Sequence, residues 1–255
     1  MSGLIVTGGG AGIGRAVVEE AGRRGMRVAA LDLLAGPACA AAAAALSAGA
    51  PDAVGLACDV RDAEDVERAF AQAVARLGAL DALVCSAGID RGGLVHELPE
   101  ELWSDVIETN LGGTFRACKQ ALQLFLAGST GGSIVCIGSP AGVTAFPAAA
   151  AYSASKGGVA ALVRALAIDY AALGVRVNAV LPGPTDTALM WANVADADRE
   201  RMQRLIEREI PVKRLATAHE VALAALWLCS PEAVYITGSM LACDGGVLAK
   251  SSVSF

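Results

Sequence analysis

The chain has 255 residues, 55% of them hydrophobic, with a formal charge of −6 and a pI near 5.0. An acidic balance with no basic stripe argues against a nucleic acid or an anionic membrane as partner, because phosphate binding needs a basic footprint. No apolar run reaches the roughly 18 residues that span a bilayer, and a first strand starting at residue 3 leaves no room for a signal peptide. The expected location is therefore the cytoplasm.

Leu4, Ile5 and Val6 form a short apolar β run, and the helix that follows carries Ile13, Ala16, Val17 and Ala21 on its inner face. Between them lie Gly8, Gly12 and Gly14. Glycines here let the backbone turn tightly and let a pyrophosphate approach the free amides of a helix N-terminus, where the helix dipole favours negative charge. The same turn would also serve as a plain strand-to-helix connection. The next strand, RVAALD, ends in Asp32, which is placed to accept both hydroxyls of an adenosine ribose, or otherwise to cap a helix or sit solvated in a loop.

The alanine run 40–45 continues the second helix, since alanine is the best helix former. Further strands are expected near 53–58, 80–85, 132–138, 175–181 and 238–243, separated by helical patterns that include 99–127 and 150–173. Parallel neighbours need long crossovers, so this alternation predicts an α/β, doubly wound sheet with helices on both faces. One domain over 1–255 would bury roughly 70% of its unfolded surface. Trp103 and Trp227 fit helix-buried core positions.

Seven cysteines are scattered without a CxxC pair and are expected as free thiols. His96 and His219 lie far apart, so no metal site is expected. Tyr152 and Lys156 stand four apart in AYSASKGG, which puts them on one helix face, where an ammonium can lower the pKa of a phenol. Such a pair is a proton-transfer device, or simply a surface lysine beside a packed tyrosine. Ser139 ends the apolar run SIVCIGS, and Pro140 after it restricts the serine to extended backbone. A serine nucleophile would need a histidine base, and neither histidine lies near these motifs.

TGGGAGIG at 7–14, CDV at 58–60, SAG at 86–88, Asn110, Ser139, YSASK at 152–156 and PGPTDT at 182–187 resemble the short-chain dehydrogenase/reductase family in order and spacing over nearly the whole chain. The TGxxxGxG spacing and the length resemble its compact branch, which oxidises alcohols and reduces carbonyls. The resemblance implies a Rossmann domain around a seven-stranded, mainly parallel sheet, with a mobile substrate-covering segment near 184–212 that contains the charged helix Asp196 to Glu209. It implies Tyr152 as general acid/base, with Lys156 and the positive nicotinamide ring favouring its phenolate. Ser139 would then stabilise charge on the reacting oxygen, Lys156 would also contact the ribose, and Asn110 would hold a water relay. Cofactor contacts would fall to Gly8, Gly12, Ile13, Gly14, Asp32, Asp59, Val60, Ala87, Gly88, Thr185 and Thr187. Cys85 and Ser86 stand where the family usually has two asparagines, so two amide side chains are missing.

The expected cofactor is NAD. Asp32 would repel a 2′-phosphate, and Leu33, Leu34 and Ala11 offer no basic partner for one. Arg15 is expected to face the phosphates or solvent. The expected substrate is a small secondary alcohol or ketone, in a pocket lined by Asp90, Arg91, Pro140, Phe146, Pro184, Met190 and Trp191, with Arg91 either an anchor for a carboxylate or phosphate or a structural or carrier-facing residue. AGIDRGG also resembles the loop of 3-oxoacyl carrier-protein reductases, so a thioester reductase is the enzyme alternative. A nucleotide-sensing or scaffold protein is the non-catalytic one. Apolar Leu122, Leu124, Phe125, Leu162, Val163 and Leu166 exceed what one helix face needs, which with the family resemblance predicts a homotetramer.

Overall fold

Seven strands form one sheet in the computed structural model, which describes residues 3–192 and 194–250. They are β1 (Gly3–Thr7), β2 (Arg27–Asp32), β3 (Ala53–Ala57), β4 (Ala82–Cys85), β5 (Gly132–Ile137), β6 (Val175–Pro182) and β7 (Met240–Cys243). Their order is β3-β2-β1-β4-β5-β6-β7, and every neighbouring pair is parallel. The crossovers carry α1 (Gly12–Arg23), α2 (Ala35–Ala48), α3 (Ala63–Leu77), α4 (Glu100–Ile107), α5 (Gly113–Gly128), α6 (Ala150–Tyr170), α7 (Ala188–Trp191), α8 (Arg199–Glu209) and α9 (Ala218–Cys229).

Alternation along the strands divides the core into two layers. Ile5, Leu83, Ile134 and Val177 point to the side covered by α3, α5 and α6, where Phe70, Phe125 and Val163 are buried. Leu4, Val6, Val84 and Val180 point to the side covered by α1, α2 and α9. Full burial of Phe70 and Phe125 contributes roughly 1.5–3 kcal/mol each. The alanines of α2 serve close approach: a Cβ added at Gly22 of α1 would lie 2.5 Å from the Ala45 carbonyl oxygen.

Strand order reverses at β1, which pairs with β2 on one side and β4 on the other. In sheets of this kind a crevice opens beyond the carboxyl ends of the strands at that switch.

Three expectations need correction. Trp103 and Trp227 are not core residues, being 41% and 37% exposed. Each sits on the outer face of its helix, and α4 buries only Val106. The helix expected over 99–127 is interrupted by a wider π-type turn at Glu108–Gly112. Finally, Leu122, Phe125 and Val163 are buried in their own core, so they are not surplus, whereas Leu124, Leu162 and Leu166 are half-buried; the exposed large apolar residues on α5 and α6 are Phe115, Leu126 and Ile168.

Candidate active site

Close backbone approach builds the first wall of the site. Gly8 has φ +66, and a Cβ there would come within 2.6 Å of the Ala87 amide nitrogen at the end of β4. A Cβ on Gly14 would lie 2.1 Å from the Gly8 carbonyl oxygen. These two contacts seat the start of α1 directly against the turn. The N-cap of α1 is Ala11, which has no side chain to bond the first-turn amides, and no acidic residue lies in that turn. By contrast, Asp62 caps α3, and Thr217 with Glu220 forms a capping box on α9. Uncapped amides at a helix N-terminus are anion-seeking donors. Nearby, Asp32 Oδ2 accepts the Gly10 N–H at 2.9 Å.

The second wall comes from the π-type turn and from α6. The turn carries Asn110 inward, fully buried. Its amide accepts the Ile89 N–H at 2.8 Å and donates to the Ile89 carbonyl at 2.9 Å and to Ser155 Oγ at 3.0 Å. Ser155 donates in turn to the Tyr152 carbonyl at 2.7 Å. Asn110 thus locks the loop after β4 to the first turn of α6. Lys156 Nζ donates to the Ile137 carbonyl at 2.8 Å and lies 5.6 Å from the centre of the Tyr152 ring. Ser139 is extended, as its following proline requires, and its hydroxyl accepts the Ala141 N–H at 3.1 Å. Neither Ser155 nor the Ile137 carbonyl was singled out from the sequence. A carbonyl partner leaves no side-chain signal.

Burial sets the proton affinities. It pushes Tyr152 up to about 12, with the Ser139 hydroxyl pulling it back and the Asp90 charge adding to the rise. Burial likewise brings Lys156 down to about 8, against the opposing influence of Cys136, Cys85 and Asp90. Without the positive nicotinamide ring, the protein therefore favours the phenol. Desolvation of the charged form outweighs the hydrogen bond with Ser139 that favours it.

All of this opens into one cleft of about 1180 Å³, larger than the roughly 300–1,000 Å³ of a drug-sized pocket. One stretch of its lining holds Gly8, Gly12, Ile13, Asp32, Asp59 and Val60; another holds Ala87, Gly88, Ser139, Tyr152 and Lys156. Thr185, Thr187, Arg91, Phe146 and Met190 line it too, and Leu205, Ile206 and Glu209 bring α8 over it. The Asp59 carboxylate is held by Arg61 at 2.8 Å.

Three expected site residues do not line the cleft. Gly14 acts through its packing on Gly8, and Asn110 through its buried hydrogen bonds. Trp191 is no wall of the pocket: it is 8% exposed, packs with Ile210 and Leu215, and donates to Asp186 at 2.7 Å. Arg15 pairs with Glu19 at the surface. Arg91 is exposed and donates to the Asp90 carbonyl at 3.1 Å. Among the described residues the cysteines are free, as expected. Cys85, standing for a family asparagine, packs its thiol 4.0 Å from that of Cys118 in the core.

An all-parallel sheet with a glycine-walled crevice at its switch point, uncapped amides and a Ser, Tyr and Lys in one cleft defines a dinucleotide-binding oxidoreductase. The family model described as enoyl-(acyl carrier protein) reductase matches residues 8–248. A 2-(S)-hydroxypropyl-CoM dehydrogenase of Xanthobacter autotrophicus is 39% identical over 96% of both chains. A 2,5-dichloro-2,5-cyclohexadiene-1,4-diol dehydrogenase of Sphingobium indicum is 38% identical, again over 96% of each. A crystal structure of actinorhodin polyketide ketoreductase with NADPH superposes with a TM-score of 0.90 at 35% identity, covering 96% of this chain and 97% of that one. The chain belongs to the short-chain dehydrogenase/reductase family, and it is an oxidoreductase of hydroxyl and keto groups. No helix among the described residues is long and apolar enough to cross a membrane.

Proposed function

We propose that this enzyme moves a hydride between NAD(H) and a secondary alcohol or ketone, with Tyr152 as general acid/base. The carrying observation is that Tyr152, Ser139 and Lys156 share one cleft with Asp32 and the uncapped start of α1. The residues fit a dinucleotide. First-turn amides of α1 would hold the pyrophosphate, Asp32 the adenosine ribose, Asp59 and Val60 the adenine, and Lys156 the second ribose. Ala87 and Gly88 would allow close approach, and Thr185 and Thr187 would meet the carboxamide. The bound nicotinamide supplies or accepts the hydride.

The protein's own part is proton transfer and positioning. Tyr152 gives its phenolic proton to the carbonyl oxygen in reduction and takes the hydroxyl proton in oxidation. Ser139 donates to the same oxygen as charge develops. Asn110 fixes the Ile89 backbone and Ser155, and through Ser155 the start of α6 that carries Tyr152.

NAD is the favoured cofactor. Leu33 and Leu34 follow Asp32 as exposed apolar side chains, and no arginine or lysine stands at either position or at Ala11. The cleft-lining Arg61 is already paired with Asp59 and Asp105. A second reading, a 3-oxoacyl thioester reductase using NADPH, is favoured by the likeness to the NADPH-bound ketoreductase. Phe115, Leu126 and Ile168 are apolar and exposed on α5 and α6, which supports a homotetramer. The protein is proposed to work in the cytoplasm.

The test is a panel of secondary alcohols, ketones and oxoacyl thioesters, followed by nicotinamide absorbance with each cofactor. Tyr152→Phe should keep the fold and NAD binding and lose ~10²- to 10⁴-fold in kcat. More than about a tenth of wild-type turnover in that variant would sink the assigned role.

A further inference from the structure

The cleft contains a carboxylate that hydride transfer does not use. Asp90 lies two residues beyond Gly88 and lines the cleft with Ser139, Phe146 and Tyr152. Its Oδ1 is sealed from solvent and has no hydrogen-bond partner. Neither neighbouring cation bonds this carboxylate, although both charges act on it: Arg91 bonds the backbone carbonyl of Asp90, and Lys156 bonds the Ile137 carbonyl. Asn110 grips Ile89 on the other side, so the backbone that carries Asp90 is fixed. Tyr152 and Lys156 both feel its charge, and burial pushes its own pKa up.

A buried carboxylate oxygen without a donor is costly, and such groups in native structures are normally satisfied. Among the described residues no protein group donates to either oxygen of this carboxylate, and a donor bound in the cleft can reach it through the oxygen that is not sealed. We infer that Asp90 is a specificity-determining residue that receives a second hydrogen-bond donor of the substrate, so that the preferred substrates are diols or amino alcohols and not hydroxy acids. Like charge against Asp90 disfavours a substrate carboxylate. Arg91 lines the same cleft and its charge opposes that of Asp90, but it is exposed and gives an N–H to the Asp90 carbonyl, so it offsets this only in part. The inference rests on the hydride-transfer reading and adds the substrate class to it.

The test compares matched probes: 2,3-butanediol against 2-butanol, 1-amino-2-propanol against 2-propanol, and lactate as the carboxylate. kcat/KM is measured with NAD for wild type, Asp90→Asn and Asp90→Leu. Wild type should favour the donor-bearing member of each pair and reject lactate. Asp90→Leu should reduce that preference by about ten- to a hundredfold, as loss of a hydrogen bond to a charged group implies. Asp90→Asn, which keeps an acceptor, should fall between.

Calorimetric binding of the diol and the mono-ol to the enzyme with NADH gives a readout independent of turnover. Selective weakening of diol binding in Asp90→Leu supports the inference. Equal preference in wild type, or equal weakening of both probes in the variant, overturns it. If no alcohol or ketone turns over while selective diol binding persists, the hydride-transfer reading fails and the Asp90 subsite stands.

Discussion

Lys156→Met should stabilise the folded apoprotein at neutral pH. The ammonium is 7% exposed, and burial lowers its pKa from 10.5 to about 8. That difference corresponds to about 3 kcal/mol of penalty on the charged form at pH 7. Against it stands the hydrogen bond from Nζ to the Ile137 carbonyl, which contributes roughly 1.5–3 kcal/mol as a bond from a charged donor. A net gain of about 1 kcal/mol remains, or roughly 2–4 °C in Tm for a chain of this size. The sign with pH follows from proton counting. Between pH 8 and 10.5 the unfolded chain keeps a proton that the folded lysine has released, so wild-type stability rises with pH in that window. Tyr152, raised from 10.0 to about 12, reverses the trend above pH 10. Differential scanning fluorimetry from pH 7.5 to 9.5 should therefore show the variant ahead at the acid end, with the gap closing as pH rises. A variant less stable at pH 7.5, or a gap independent of pH, would refute the assignment of a burial-penalised ammonium.

Asp32→Ala should lower kcat/KM for NAD while narrowing or erasing the gap to NADP, since it removes a ribose acceptor and a like charge together; a wild-type enzyme at least as efficient with NADP would refute the NAD reading. Gly14→Ala places a Cβ 2.1 Å from the Gly8 carbonyl oxygen, so the turn must shift. Both Tm and NAD affinity should fall, and calorimetry showing unchanged affinity would mean that the turn does not hold the cofactor. Thr217→Ala removes the cap of α9, which bonds the Glu220 amide at 3.2 Å. The expected cost is about 1 kcal/mol, read as a lower denaturation midpoint with an unchanged slope.

Much of this was legible in the sequence for identifiable reasons. Buried parallel strands are continuous apolar runs, so β1, β2 and β5 stand out between glycines and polar turns. The glycine spacing was readable because only glycine allows backbone to meet backbone at Gly8 and Gly14. Side-chain orientation on surface helices was not readable. Trp103 and Trp227 carry the composition of core residues, yet the outer helix face is set by packing partners distant in sequence. Trp191 shows the converse, since its position beside PGPTDT suggested a pocket wall while its indole packs on Ile210 and Leu215. The π-type turn at Asn110 also escaped, because one extra residue in a helix leaves no compositional trace.

The Tyr–Lys pair shows how far such a motif reaches. Four-residue spacing puts both groups on one helix face, and both line the cleft, but spacing says nothing of the dielectric around them. Here Tyr152 sits at about 12 and Lys156 at about 8, so at neutral pH the phenol keeps its proton and the lysine remains mostly charged. In the proposed reaction alcohol oxidation would need a phenolate, and the fold does not generate one by itself. Positive charge brought in with the oxidised cofactor acts in the required direction, as does any ligand donor that quiets Asp90, whose charge raises the phenol. Geometry and proton affinity thus have separate origins: Asn110, Ser155 and Ile137 fix where the groups stand, and in the proposed reaction the occupants of the cleft would decide when Tyr152 can let its proton go.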